Sequence, residues 1–481
     1  MYAKYIDRVK LFLGIVFFLF MLFANPFGLE AKAATSLAIA TLMVTWWVNG
    51  ALPMPVVALL PLILFPLFGI AGMKELAPSY ANPIIFLFMG GFMIALAIEK
   101  WNLHKRGALS IIKLTGTSGN KIVLGFILAS GLMSMWISNT ATTMMMYPIA
   151  LSVISVMEKH STTTGNIKHL SVSLLLVIAY SANFGGIATI VGTPPNVAYT
   201  AFLQDKMGMT IQFADWMKLC APISLLLLGI LYIVTTRFLY PNRIKDDAAA
   251  KQLINSELKQ LGKLSKVERR VLVVFITTAL LWITKGFINK AQNVIQLNDA
   301  LIALMGGVSM FLIPSGNAQT KRLLVWEDTK KMAWGILILF GGGIALANQL
   351  EQVGIIQSLG EWMATFASGG IVLVFSVAII SIFISEVMSN VAQVIVFAPV
   401  ITSLAIALKI DPIQLGIAMT LGASCASMMP MGTPPNAIVF ASGELKLKDM
   451  TTTGFVMNMV SAILITLFCW YALPHLIAVL N

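Results

Sequence analysis

Charge is scarce in this chain. Of its 481 residues, 11% are Asp, Glu, Lys or Arg, against roughly 25% in an ordinary soluble domain. Acids are the scarcer sign, 20 against 32 Lys and Arg, leaving a net charge of +12. From Met332 to Leu408 there is no Lys or Arg at all. Histidine and cysteine are also rare. His104, His160, His169 and His475 fall at connectors or near the ends, and no His–carboxylate pairing appears. A membrane-embedded enzyme would need an acid/base or metal cluster at depth, so these absences argue against catalysis. Cys220, Cys425 and Cys469 lie in or beside apolar segments without metal-ligand spacing. They are expected to be packing residues and say little about redox compartment.

Apolar residues are abundant, at 58%, with a mean hydropathy of +0.87. The expectation is an all-α polytopic membrane protein. The basic residues lie in short connectors between apolar runs, which fits a basic cytoplasmic face and not a nucleic-acid partner. Lys4, Arg8 and Lys10 precede an apolar run from Leu11 to Phe23. Further spans follow at once, so this reads as a first membrane helix and not a signal peptide.

Four short polar stretches interrupt the apolar sequence, in two matched pairs. The first pair is Ser138-Asn139-Thr140-Ala141 and Gly192-Thr193-Pro194-Pro195-Asn196; the second is Ser389-Asn390-Val391-Ala392 and Gly432-Thr433-Pro434-Pro435-Asn436. Pro148 and Pro399 follow the two Ser-Asn pairs at the same distance. The stretch from Phe88 to Ala97 resembles that from Ile338 to Ala347, ending in Ile94-Ala95-Leu96-Ala97 and Ile344-Ala345-Leu346-Ala347, and extends the match. Freed backbone groups are costly in a bilayer, and paired broken helices at the midplane are how many secondary transporters build a polar site.

The expected division is an extra N-terminal helix in 1–34, a first repeat in 35–242, a cytoplasmic amphipathic linker in 243–270 and a second repeat in 271–481. The repeats contain hairpins at 121–158 and 370–408 and broken helices at 170–203 and 412–442. That gives about eleven crossings plus two re-entrant hairpins, each hairpin arm being read as shorter than the ~20 residues of a full crossing. Positive charge then places the N-terminus inside and the C-terminus outside, with the halves inverted. The amphipathic stretches Trp101–Leu114 and Ala248–Val267 are expected to lie on the cytoplasmic surface.

Proline stops a helix and is welcome at the first position of the next. Thr193 is therefore expected to cap a half-helix starting at Pro194, and Thr140 to cap the helix returning from the first tip. Helix N-termini attract anions and freed carbonyls attract small cations. Four converging N-termini would suit a dianion, and none of the four motifs contains Lys or Arg. Glu386, the one acid near a motif, is either a proton or cation site or an acceptor for backbone amides. Trp136 and Met144–Met146 read as packing residues.

On these motifs the chain resembles the divalent anion:sodium symporter family of dicarboxylate, tricarboxylate and sulfate transporters. The resemblance implies a homodimer in the lipid bilayer, with scaffold and transport domains and an elevator-type shift. It implies substrate contacts at Ser138, Asn139, Thr140, Thr193, Pro194, Asn390, Val391, Thr433 and Pro434. It also implies a sodium site at Ser134, Ser138, Asn139 and the Gly192 carbonyl. A second would use Ser385, the Met388 carbonyl, Asn390 and the Gly432 carbonyl. Sodium would be the coupling ion, with no other cofactor. Val391 departs from the family pattern, which has Thr there. The loss of that hydroxyl leans the reading toward dicarboxylate exchange, with sodium-coupled symport as the alternative. Sulfate transport or an anion channel are the further alternatives.

Overall fold

A computed structural model describes residues 2–160, 164–242, 244–246, 248–292, 294–317, 320–366 and 369–480. Arg243 and the side chains of Lys4 and His160 lie outside what is described.

The chain is almost wholly helical. The first stretch runs through α1 (Tyr2–Ala24), α2 (Ala31–Asn49), α3 (Met54–Val57), α4 (Leu60–Leu67), α5 (Met73–Leu76) and α6 (Pro83–Lys100). Next come α7 (Leu103–Thr115), the hairpin arms α8 (Gly119–Ser134) and α9 (Asn139–His160), and the broken pair α10 (Thr164–Gly186) and α11 (Pro194–Met207). The first half closes with α12 (Phe213–Ile233), and α13 (Ala248–Gln260) forms the connector. The second half holds α14 (Lys266–Ala291), α15 (Asp299–Leu312), α16 (Trp334–Gln352) and α17 (Ile355–Ala364). It continues with the arms α18 (Ile371–Ser385) and α19 (Asn390–Ala407), the broken pair α20 (Pro412–Ser424) and α21 (Pro434–Phe440), then α22 (Leu447–Leu467) and α23 (Leu473–Leu480).

Among the described residues, nine helices are long and apolar enough to cross a membrane; two of them are the returning hairpin arms α9 and α19, so seven of the eleven expected crossings are among the nine. The expected spans near 53–72 and 298–314 are the shorter apolar stretches Met54–Leu67 and Asp299–Leu312. Pro66 near the end of α4 helps stop the first. The second gives way to a small antiparallel ribbon, Pro314–Asn317 with Thr320–Arg322, which an all-helical expectation omits. The hairpin arms are also unequal. The outgoing arms have 16 and 15 residues, but the returning α9 has 22. Pro148 sits inside α9 without ending it, so arm length alone does not make the hairpin re-entrant.

Packing is organised around the hairpins. Within the first half α10 packs on α8, α9 and α12, and in the second half α20 packs on α18, α19 and α22. Contacts then cross between halves: α10 and α9 meet α21, and α11 meets α19 and α20. A separate apolar core joins α2 through α5 to α16 and to Met388 and Ala392 at the second tip. The amphipathic helices α7 and α13 pack on one another. Their facing sides are tied by Lys105–Glu257 at 2.9 Å and by Arg106 with Glu268, at the start of α14, at 2.8 Å. Leu264 of the expected amphipathic stretch is exposed. The cysteines Cys220, Cys425 and Cys469 are free and buried.

Candidate functional site at the paired hairpin tips

Both hairpins turn in the same way. In the first, Ser134 Oγ lies 2.6 Å from the Asn139 carboxamide; in the second, Ser385 Oγ donates to Asn390 Oδ1 at 2.7 Å. The returning helix begins at the asparagine itself. At the first tip the side-chain acceptor is Ser138, whose Oγ takes the Ala141 N–H at 3.2 Å. The expected cap at Thr140 is therefore displaced by two residues, because Thr140 already lies inside the helix.

The broken helices stop earlier than the prolines require. α10 ends at Gly186 and α20 at Ser424, leaving irregular segments at 187–193 and 425–433. The final asparagine of each Gly-Thr-Pro-Pro-Asn motif knits these segments together. Asn196 Nδ2 donates to the carbonyls of Gly186, Ile187 and Thr189 at 3.3, 3.3 and 2.8 Å. Asn436 Nδ2 does the same to Ala426 at 3.4 Å and Met429 at 3.2 Å. A buried carbonyl without a partner is costly, so these carboxamides stand in for the missing helical turns. Thr433 caps α21, accepting from Asn436 N at 3.3 Å, whereas Thr193 makes no side-chain cap to α11.

The halves differ at one point. Glu386 is buried, and its carboxylate accepts the Ser427, Met428 and Met429 amides at 2.8 Å each and Asn458 Nδ2 at 2.7 Å. It therefore serves as an acceptor for backbone amides, clamping the irregular segment ahead of Gly432. The first half has Met135 at this place, whose carbonyl accepts from Thr189 Oγ1 at 2.5 Å.

The four motifs line one cavity of about 770 Å³. Ser138, Asn139, Thr140, Thr193, Pro194, Asn390, Val391, Thr433 and Pro434 all face it, and among the described residues no Asp, Glu, Lys or Arg lines it. Trp47, Asn49 and Met54 from the α2–α3 region and Gly335, Ile336 and Leu339 from α16 form the remaining wall. Ser134, Ser385 and Gly192 sit behind the tips, outside the lining. Trp136 packs edge-on against Phe275, with ring centroids 5.0 Å apart. Met146 is buried, but Met144 is exposed and packs no core.

Sequence reasoning missed Asn183. It is buried against the cavity and bridges the halves, donating to Thr433 Oγ1 at 3.1 Å and lying 3.4 Å from Asn139. Its only signal is a lone carboxamide in the apolar run of α10.

What this lining can hold follows from its donors. First-turn amides of a helix have no intrahelical acceptor, and the N-termini of α9 and α19 present theirs at the tips. The breaks contribute less than expected, because Pro194, Pro195, Pro434 and Pro435 have no N–H to offer. They supply helix-dipole potential and the threonine hydroxyls, and α21 is only seven residues long. The oxygens behind the tips suit a small hard cation. The Asn139 carboxamide atom beside Ser134 lies 3.1 Å from the Ala182 carbonyl and 3.3 Å from that of Gly192. With nitrogen there, it donates to all three oxygens; with oxygen there, four uncharged oxygens converge, the hard donor set that s-block cations prefer. In the second half Ser385 Oγ reaches both Asn390 Oδ1 and the Ala423 carbonyl, at 2.7 and 2.6 Å.

Broken helices from two matched halves, meeting at an uncharged polar cavity among apolar spans, define a secondary membrane transporter. The sequence profile of the sodium:sulfate symporter transmembrane region matches residues 6–477, and the chain belongs to that family. Among its relatives is the sodium-dependent dicarboxylate transporter SdcS of Staphylococcus saprophyticus, 38% identical over 480 residues, covering 98% of this chain and 92% of the relative. The SdcS protein of Staphylococcus aureus matches to the same extent. Similar folds occur in the Alcanivorax borkumensis YdaH transporter, with a TM-score of 0.59 at 14% identity over 83% of this chain and 87% of that one. Neisseria gonorrhoeae MtrF, described among antimetabolite efflux pumps, has a TM-score of 0.56 at 14% identity over 96% and 94%.

Proposed function

We propose that the chain couples sodium entry to uptake of a short dicarboxylate of the succinate, malate, fumarate or 2-oxoglutarate class. The observation that carries this reading is the single uncharged cavity lined by both Ser-Asn tips and both Thr-Pro-Pro breaks. A doubly negative solute there meets tip amides, carboxamides, hydroxyls and helix N-termini, which stabilise it without a full countercharge. Sodium held by Ser134, Ser138, Asn139 and the Gly192 carbonyl would add positive charge behind the first tip. Ser385, Asn390 and the Met388 and Gly432 carbonyls would do so behind the second. Relatives described as sodium-dependent dicarboxylate transporters, at 38% identity over nearly the whole chain, favour symport over the exchange to which Val391 inclined the reading.

The transport domain would comprise both hairpins and both broken helices, moving against a scaffold of the remaining spans in a homodimer. By the positive-inside rule the basic connectors favour an N-terminus on the cytoplasmic side and a C-terminus outside. In proteoliposomes, an inward sodium gradient alone is expected to drive radiolabelled succinate into empty vesicles. Uptake that ignores sodium and requires preloaded dicarboxylate would establish exchange. Competition by unlabelled sulfate stronger than by malate would assign the cavity to sulfate.

A further inference from the structure

A second cavity, of about 440 Å³, lies at the base of the first hairpin, at the opposite end of α8 from the Ser138 tip. It is lined by Lys113 at the end of α7, Gly116 and Thr117 in the turn, Lys121 in the first turn of α8, Asp246, and Ala248, Lys251 and Ile254 at the start of α13. Among the described residues, three lysines therefore face one aspartate. Lys121 approaches Asp246 at 3.7 Å, with both side chains more than half exposed. Such a pair contributes little and neutralises little. Lys113 and Lys251 make no ion pair among the described residues.

The turn is shaped to deliver Lys121. Gly116 has φ +103°, a conformation L side chains rarely adopt, and a Cβ there would lie 2.9 Å from Lys121 Cδ. The lysine stem crosses the bare glycine, so any larger residue would strain the turn and displace the stem. Each of the three lysines comes from a different helix, two of them the amphipathic pair expected at the membrane surface. Ile254 closes the floor and is buried. Lysines left unneutralised around a cavity at the membrane–water boundary attract a compact anion. Basic pockets between helices on a cytoplasmic face are where phosphorylated headgroups bind.

We infer that this cavity is a phosphate-binding site, whose ligand is the headgroup of an anionic lipid or a free phosphate. Bound there, the phosphate bridges α13, the connector between the halves, to the outgoing arm of the first hairpin.

The test uses the full-length purified protein in neutral detergent, by thermal unfolding and by retention of added lipid in native mass spectrometry. Phosphatidylglycerol is expected to stabilise the protein and to be retained, whereas phosphatidylcholine is not. Each Lys→Gln substitution at 113, 121 or 251 should weaken retention by about fivefold, and the corresponding Lys→Arg variants should keep it. If inorganic phosphate alone reproduces the stabilisation in wild type but not in K113Q/K121Q/K251Q, the site stands and its ligand is the free ion. The inference is overturned if the triple Gln variant, eluting as a monodisperse peak, responds to phosphatidylglycerol and phosphate as wild type does. It is equally overturned if wild type responds to neither.

Discussion

The chemistry rests on carboxamides more than on any charged side chain. Asn139 stands where the first tip, the Ala182 and Gly192 carbonyls and Asn183 all come within hydrogen-bonding reach. Truncating it removes a buried partner from several polar groups at once. Asn139→Ala is expected to lower initial uptake about 5- to 150-fold, from the ~1–3 kcal/mol cost of an unpartnered buried polar group. Vesicle uptake at saturating sodium measures this. Gly186 makes a related point about space. A Cβ there would lie 2.5 Å from Asn139 Oδ1, so Gly186→Ala must displace the Asn139 carboxamide. Misplacement of about 1 Å costs on the order of 10²-fold, and a similar loss is expected in kcat/KM for uptake, with expression unchanged. Val391 offers a gain. Val391→Thr adds a hydroxyl facing the cavity, and its new hydrogen bond is expected to lower KM for succinate about fivefold. An unchanged KM would mean the substrate does not reach the second tip.

At the scale of elements, each half must hold a helix open where the bilayer offers no water. The first half does so with Asn196 and with Thr189 bonding back to the hairpin. The second adds Glu386, whose carboxylate takes three backbone amides and one carboxamide. Hydrogen bonds to a charged acceptor contribute ~1.5–3 kcal/mol each. Glu386→Gln keeps one acceptor oxygen and loses the other, and should lower stability by about 3 kcal/mol. Thermal unfolding of the purified protein would show a lower midpoint. Unaltered unfolding would rule out the clamp.

At the scale of the whole molecule, the proposed elevator-type shift requires the cavity to change sides, so contacts between its moving and static elements would have to break. Lys206, at the end of α11, pairs with Glu351 of α16 at 2.6 Å. In the proposed division these residues belong to the transport domain and the scaffold. Cysteines at 206 and 351, bridged by mercuric ion, are expected to abolish uptake, and excess thiol should restore it. The native cysteines are buried, so a reaction at 206 and 351 would dominate. Full activity of the bridged protein would mean these elements do not separate during transport.

Much of this was legible in the chain. The motif spacing located both tips and both breaks, because Ser-Asn and Thr-Pro-Pro in apolar sequence have few structural uses besides interrupting a helix. Helix length was less legible: the first returning arm, read as shorter than a crossing, is the 22-residue α9, which runs on through Pro148, since a proline's lost hydrogen bond can be tolerated within a packed membrane helix. Asn183 was passed over as an ordinary polar residue, for its partners Asn139 and Thr433 lie on other segments. Composition and the duplicated motifs by themselves determined a helical membrane protein of two matched halves with an uncharged polar centre, because hydropathy and proline act locally along the chain. Only the tertiary structure decided that Glu386 accepts the backbone amides of 427–429, that Asn183 ties one half to the other, and that three lysines from separate helices share one cavity. Those outcomes depend on which segments meet in space, and proximity across hundreds of residues leaves no local trace.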